Sequence, residues 1–266
     1  MSTPRTTKYV RRALLAGAPL ALTLVAPAPA GAAPPICFRQ PATIVALPGG
    51  NWTFGTAGDD VIVGTSGPDR IVGLGGDDRI CALGGADDVL RGDAGGDYID
   101  GGDANDNVDG GTGNDQLHGG DSFDYLDGGE GRDILTGGPD GDTLVDGNGE
   151  DYLAGEGGDD VLVSNGDSGG GADAMSGGAD NDTIYVFVER GGRGNKDMDG
   201  DAGNDRLFGG PGIDRMSGGA GNDTLRSYES ADVLHCGTEK DYADGGAGND
   251  TFLNATHGCE TFVNIP

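Results

Sequence analysis

Between Gly92 and Val163 an aspartate returns at every ninth residue: Asp97, Asp106, Asp115, Asp124, Asp133, Asp142, Asp151 and Asp160. No His or Cys shares that register. Carboxylates and backbone carbonyls are hard oxygen donors, so a metal held by such a set is calcium rather than zinc or copper. If successive turns stack, like charges lie above one another and repel, and a cation must sit between them. One Gly-Gly-x-Gly-x-Asp stretch is an ordinary solvated loop. An unbroken run of them is not.

The chain around these aspartates has to position them. In blocks of nine it reads GDAGGDYID, GGDANDNVD, GGTGNDQLH, GGDSFDYLD, GGEGRDILT, GGPDGDTLV, DGNGEDYLA and GEGGDDVLV. The sixth residue is always Asp and the eighth always apolar: Ile99, Val108, Leu117, Leu126, Leu135, Leu144, Leu153 and Leu162. Glycine fills most first, second and fourth places. One large apolar residue per unit cannot form a globular core. It can line a stacked one if each unit is a tight turn followed by a three-residue strand. Side chains alternate along a strand, so the eighth residue points in while the seventh and ninth point out. The six turn residues need φ > 0, which Gly tolerates and other residues resist. Pro139 and Pro211, both third in their units, suit a turn and would break a helix. The apolar spacing also excludes an amphipathic helix.

The register extends to both sides. Gly55–Cys81 supplies Asp60, Asp69 and Asp78. The stretch Ala82–Arg91 is read as GGADDVLR with one turn residue lost, which makes Asp88 its ligand. Upstream, CFRQPATIV and ALPGGNWTF hold the register imperfectly, with Ile44 and Thr53 at the eighth place and Asn51 where Asp should be. They read as a cap that shields the open end of the core. Trp52 and Phe54 would cover outward strand surface, a sugar-binding pair being the other reading.

After an insertion near 164–167 come Asp173 and Asp182; after a second near 186–190 come Asp205, Asp214, Asp223 and Asp250. Asp232 and Asp241 keep the place but lose most surrounding glycines, which puts their sites in question. Lys196 stands at the sixth place of GGRGNKDMD, so its cation site should be lost or altered, with the ammonium as an internal counter-ion. Met175, Met198 and Met216 all fall at the eighth place. The second insertion lengthens a strand to TIYVFVER, read as a bulge in preference to a docking edge.

These units resemble the hemolysin-type calcium-binding (RTX) nonapeptide repeat, Gly-Gly-x-Gly-x-Asp-x-U-x, over about three-quarters of the chain. The resemblance implies an all-β, right-handed parallel β-roll of about 20 units, with two units to a full turn. It also implies calcium between stacked turns, held by the sixth-place aspartates and by turn carbonyls.

The rest of the chain is different material. Residues 1–32 read as a secretory signal peptide: Arg5, Lys8, Arg11 and Arg12, then the apolar run Ala13–Ala26, then APAPAGAA. The run is short for a membrane anchor and is broken by Gly17 and Pro19. Residues 33–54 form the first cap, 55–253 the roll and 254–266 the second cap, with Phe262 and Val263 available to close the core. Beyond the leader the chain carries all 45 acidic residues and 12 of the 16 basic ones, a formal charge near −33. Such a surface does not suit nucleic acid, and it keeps the chain expanded until cations bind.

Cys37, Cys81, Cys236 and Cys259 permit three connectivities. Cys37–Cys81 with Cys236–Cys259 would staple the two ends and is the favoured one, since disulfides persist in exported chains. Zinc is the competing reading, but no CxxC spacing exists.

Catalytic signatures are missing. HExxH does not occur, and the one GxSxG match, Gly166–Gly170, GDSGG, mimics a trypsin-like nucleophile without its partners. The expectation is a secreted calcium-binding module rather than an enzyme or an RTX toxin fragment. It would serve outside the cell as structural support or as an adhesion scaffold, with surface or matrix glycans or proteins as partners.

Overall fold

One inward side chain per strand sets the architecture. In the computed structural model, which describes residues 36–165, 171–187, 194–253 and 259–265, short strands alternate between two parallel sheets. One sheet runs through 12 strands from Ile44–Val45 to Thr251–Leu253, and the other through 12 from Trp52–Phe54 to Cys259–Ile265. The chain changes sheet at each turn, so sheet neighbours lie two units apart. Asn107–Thr112 pairs with Val89–Ala94 on one side and with Tyr125–Gly131 on the other. This is the all-β parallel roll that the resemblance to the RTX repeat implied.

The eighth-place residues stack in register. Val108 lies beside Leu90 and Leu126, and the file from Ile62 to Ala243 is one continuous buried core. Each such burial contributes about 1.5–3 kcal/mol. Among the described residues, no helix is long and apolar enough to cross a membrane.

Three departures from the 18-residue coil were placed differently by sequence reasoning or left open. Arg79 faces Tyr98, 19 residues on, so the turn after Ala82 has gained a residue rather than lost one. Leu83, Gly84 and Gly85 absorb it with positive φ, and Asp88 keeps the sixth-place role. Tyr152 faces Ala174, 22 residues on, and Thr183 faces Arg206, 23 on. The segments that hold those added residues lie partly outside the described residues. Among the described residues the strand carries no bulge: Thr183–Val186 runs in register along Val161–Ser164. A residue added inside that strand would swing Ile184 out of the core, whereas a longer turn leaves the pairing intact.

The first cap also differs from expectation. Ile36–Cys37 and Gln40–Pro41 form an antiparallel hairpin. It does not close the end of the core; it lies on the outer face of the roll. There Cys37 packs with Val61, Val63 and Cys81, joined by Phe38 and Ala42. These seventh- and ninth-place residues point outward as expected, yet the hairpin buries them. Cys37–Cys81 and Cys236–Cys259 are both formed, with Cα–Cα distances of 5.7 and 5.4 Å. Trp52 and Phe54 remain 40% and 43% exposed, their rings stacked and Arg70 over Trp52. The proposed leader (1–32), the GDSGG string and the side chains of Phe262 and Val263 lie outside the described residues.

Candidate metal sites

The roll arranges the sixth-place aspartates in two columns, one along each line of turns. Asp60, Asp78, Asp97, Asp115, Asp133, Asp151 and Asp173 follow one another in the first, which Lys196, Asp214, Asp232 and Asp250 continue. Asp69, Asp88, Asp106, Asp124, Asp142, Asp160, Asp182, Asp205, Asp223 and Asp241 form the second. All are buried except Asp250, which is half-buried.

One oxygen of each carboxylate is committed to the fold. Asp115 Oδ1 accepts the backbone N–H of Asp97 at 2.8 Å, and Asp124 Oδ1 accepts that of Asp106 at 2.7 Å. The bond ties each coil to the one before it and orients the carboxylate. Oδ2 of Asp78, Asp97, Asp106, Asp115, Asp124, Asp133, Asp142, Asp160, Asp182, Asp205 and Asp223 is buried without a hydrogen bond. Buried polar atoms are almost always paired, and an unpaired carboxylate oxygen is costly.

The first-place glycine faces that oxygen. A methyl group on Gly110 would lie 2.6 Å from Asp115 Oδ2 and 2.6 Å from the carbonyl oxygen of Gly128 in the next coil. The same collision with the unit's own Oδ2 recurs at Gly92, Gly101, Gly119, Gly137, Gly155, Gly177 and Gly200. This glycine is required for space, not for φ. Positive φ is concentrated at the second and fourth places, as at Gly111 and Gly113, rather than at all six turn positions. A carboxylate oxygen and a carbonyl oxygen from consecutive coils therefore converge on a cradle bare of side chain. That donor set fits calcium.

Burial pushes Asp160 up to about 8, and Asp78, Asp106, Asp115, Asp124 and Asp182 to about 7. The N–H of the preceding coil pulls each back, and neighbouring carboxylates add to the rise. Without a cation the columns hold protons at pH values where an exposed carboxyl has lost its own.

A family model described as the RTX calcium-binding nonapeptide repeat (4 copies) matches residues 54–89, 83–117, 109–144, 136–168, 167–186, 190–225, 199–234 and 226–253. The chain belongs to this calcium-binding repeat family. No curated protein and no solved structure matches it.

Not every RTX unit keeps the cradle open. Thr56 and Thr65 stand second in their units without positive φ, and their N–H groups donate to Oδ2 of Asp60 and Asp69 at 2.7 and 2.6 Å. Gly210 N does the same for Asp214 at 2.9 Å. A β-branched residue resists the left-handed backbone that turns this N–H away, so the chain closes the site itself. At Asp232 the first place is Ser227, and at Asp241 it is the disulfide-bonded Cys236, fully buried. Side chains thus stand where glycine leaves the cradle empty.

The greatest departure lies around Lys196. It is 2% exposed, and its Nζ pairs with Asp173 Oδ2 and donates to the Gly171 carbonyl at 3.2 Å. One coil away stands Asp146, a residue sequence reasoning passed over. It is 1% exposed, and burial pushes it up to about 8. The signal was present in DGNGEDYLA, where Asp replaces the first glycine.

Proposed function

We propose that this protein is a secreted calcium-dependent module whose roll folds on binding several Ca2+ ions and serves outside the cell as a structural or binding scaffold. The observation that carries the reading is the repeated buried Oδ2, without a hydrogen-bond partner and beside a carbonyl oxygen of the next coil. In each open coil the sixth-place aspartate and the first-place carbonyl would hold the ion. Bound calcium supplies positive charge between stacked carboxylates; the chain supplies rigid oxygen donors and excludes water from the core side. Secretion is supported by the leader-like segment 1–32 and by the two disulfides, which favour an oxidising compartment. Affinities in the extracellular range, about 10⁻⁴–10⁻³ M, suit such a task, with cooperativity along the stack.

Far-UV circular dichroism of the oxidised chain tests this. Strand signal should be incomplete in EDTA and rise cooperatively through millimolar calcium. Full strand signal in EDTA would sink the folding role.

A second reading, a ligand-binding roll, has one observation in its favour. Tyr185, Phe187, Phe208, Pro211 and Tyr228 line an open groove of about 640 Å³ on the outer surface. Aromatic faces of this kind suit sugar rings or apolar side chains. Binding of glycans that is lost in Phe187→Ala but kept at saturating calcium would support it.

A further inference from the structure

We propose that Asp146, Asp151 and Asp173 form a three-carboxylate calcium site, distinct from those of the regular coils and tighter than they are, with Lys196 as its fixed counter-charge. The regular cradle is defined by a bare glycine between one carboxylate and a carbonyl. Here the glycine is replaced by a third acid. One oxygen from each of Asp146, Asp151 and Asp173 lies within 4.8 Å of the others, and all three residues are buried.

The placement of Asp146 is built. Its Oδ1 accepts the N–H of Gly147 at 2.5 Å and of Asn165 at 2.7 Å, which orients the carboxylate. Its Oδ2 is buried without a hydrogen bond. Asp151 N donates to Asp173 Oδ1 at 3.1 Å, so the two coils are locked at their usual spacing. Ser164, which takes the first place in the Asp173 unit, donates its hydroxyl to Asp173 Oδ2 at 2.8 Å. Beyond it, the Lys196 ammonium occupies the next site in the column.

The charges make sense together. Three carboxylates and one ammonium leave two negative charges in a volume closed to solvent, which one divalent cation balances. The donors are all oxygen, which excludes a preference for zinc or copper. Their rigid, crowded arrangement suits calcium better than magnesium, which keeps its waters and demands an octahedron. Higher ligand charge raises calcium affinity, so this site should fill first. The competing arrangement has no ion: Asp146 keeps a proton and Lys196 alone neutralises Asp173.

The proposal rests on the calcium reading of the family's coils, so the experiment separates the two. Calcium is titrated by calorimetry into the metal-stripped, oxidised full chain and into Asp146→Asn. The wild-type chain should bind one ion about ten-fold or more tightly than the rest. Asp146→Asn should lose that single tight ion while the weaker class is unchanged. A weak class alone in the wild type, or a tight ion that survives Asp146→Asn, overturns the proposal and leaves the general reading intact. A tight ion without a weak class supports the proposal and sinks the general reading; no binding at all sinks both. Should Asp146→Asn fail to fold, wild-type crystals grown with one equivalent of terbium carry the test. An anomalous peak among Asp146, Asp151 and Asp173 supports the site, and its absence there overturns it.

Discussion

The first coils, through Val72, and the block from Gly92 to Val163 share one register but are completed by different means. In the first coils the chain closes the Oδ2 atoms itself: the Thr56 and Thr65 N–H groups donate to Oδ2 of Asp60 and Asp69. The Cys37–Cys81 disulfide clamps a hairpin over Val61 and Val63. In the central block the second residues adopt positive φ, the N–H groups turn away, and Oδ2 of Asp97, Asp106, Asp115, Asp124, Asp133, Asp142 and Asp160 is buried without a hydrogen bond. The same sixth-place aspartate has Oδ2 taken by the chain's own N–H groups in one place and keeps Oδ2 buried and unpaired in the other. The backbone at the second turn residue decides which: φ is positive at Gly111 and Asp93 and is not at Thr56, Thr65 or Gly210.

Calcium removal should expose that difference most strongly. By hydrogen exchange in EDTA, amides of residues 98–163 should lose protection by about 100-fold or more, as expected for loss of a cooperative unit. Residues 44–72 should change far less. Equal loss in both regions would mean the first coils are not self-sufficient. Point substitutions sharpen the contrast on a smaller scale. Asp124→Asn should raise the calcium midpoint by roughly ten-fold, because it removes a charged ligand from an open cradle. Asp69→Asn should leave the midpoint in place.

The smallest effect is a pH dependence confined to the metal-free central block. Asp124 is pushed up to about 7 from an ordinary 3.8, so the native coil holds its proton where the unfolded chain has lost it. The resulting stabilisation is full below about pH 4 and is lost as pH rises through about 7. Circular dichroism in EDTA should therefore show more strand at pH 5 than at pH 8. In saturating calcium the trend should disappear or reverse, since protons then compete with the ion.

Much of this was legible without coordinates. The eighth-place file and the two aspartate columns follow from a strict period, because each unit repeats one geometry and any lapse shows as a broken register. The favoured cysteine pairing was legible for a related reason: each pair flanks one end of that register. What escaped were effects that need two coils at once. The first glycine looked like a turn residue until the carbonyl of the following coil was seen beside it, as with Gly110 and Gly128. The Ala82 turn could be counted either way until Arg79 was paired with Tyr98. Asp146 read as a lapse in the glycine pattern until Asp173 was brought to its side.

The sequence by itself determined the roll, its core and which carboxylates line its turns. A short period with one inward residue admits few packings, and carboxylates in register must meet when units stack. The tertiary structure alone decided which cradles stay open, where the hairpin lies and which charges share a site. Those outcomes depend on the direction of single N–H groups and on distances of a few ångströms between residues 18 to 23 positions apart. A one-dimensional pattern records which residues recur, but not which atoms face one another across the stack.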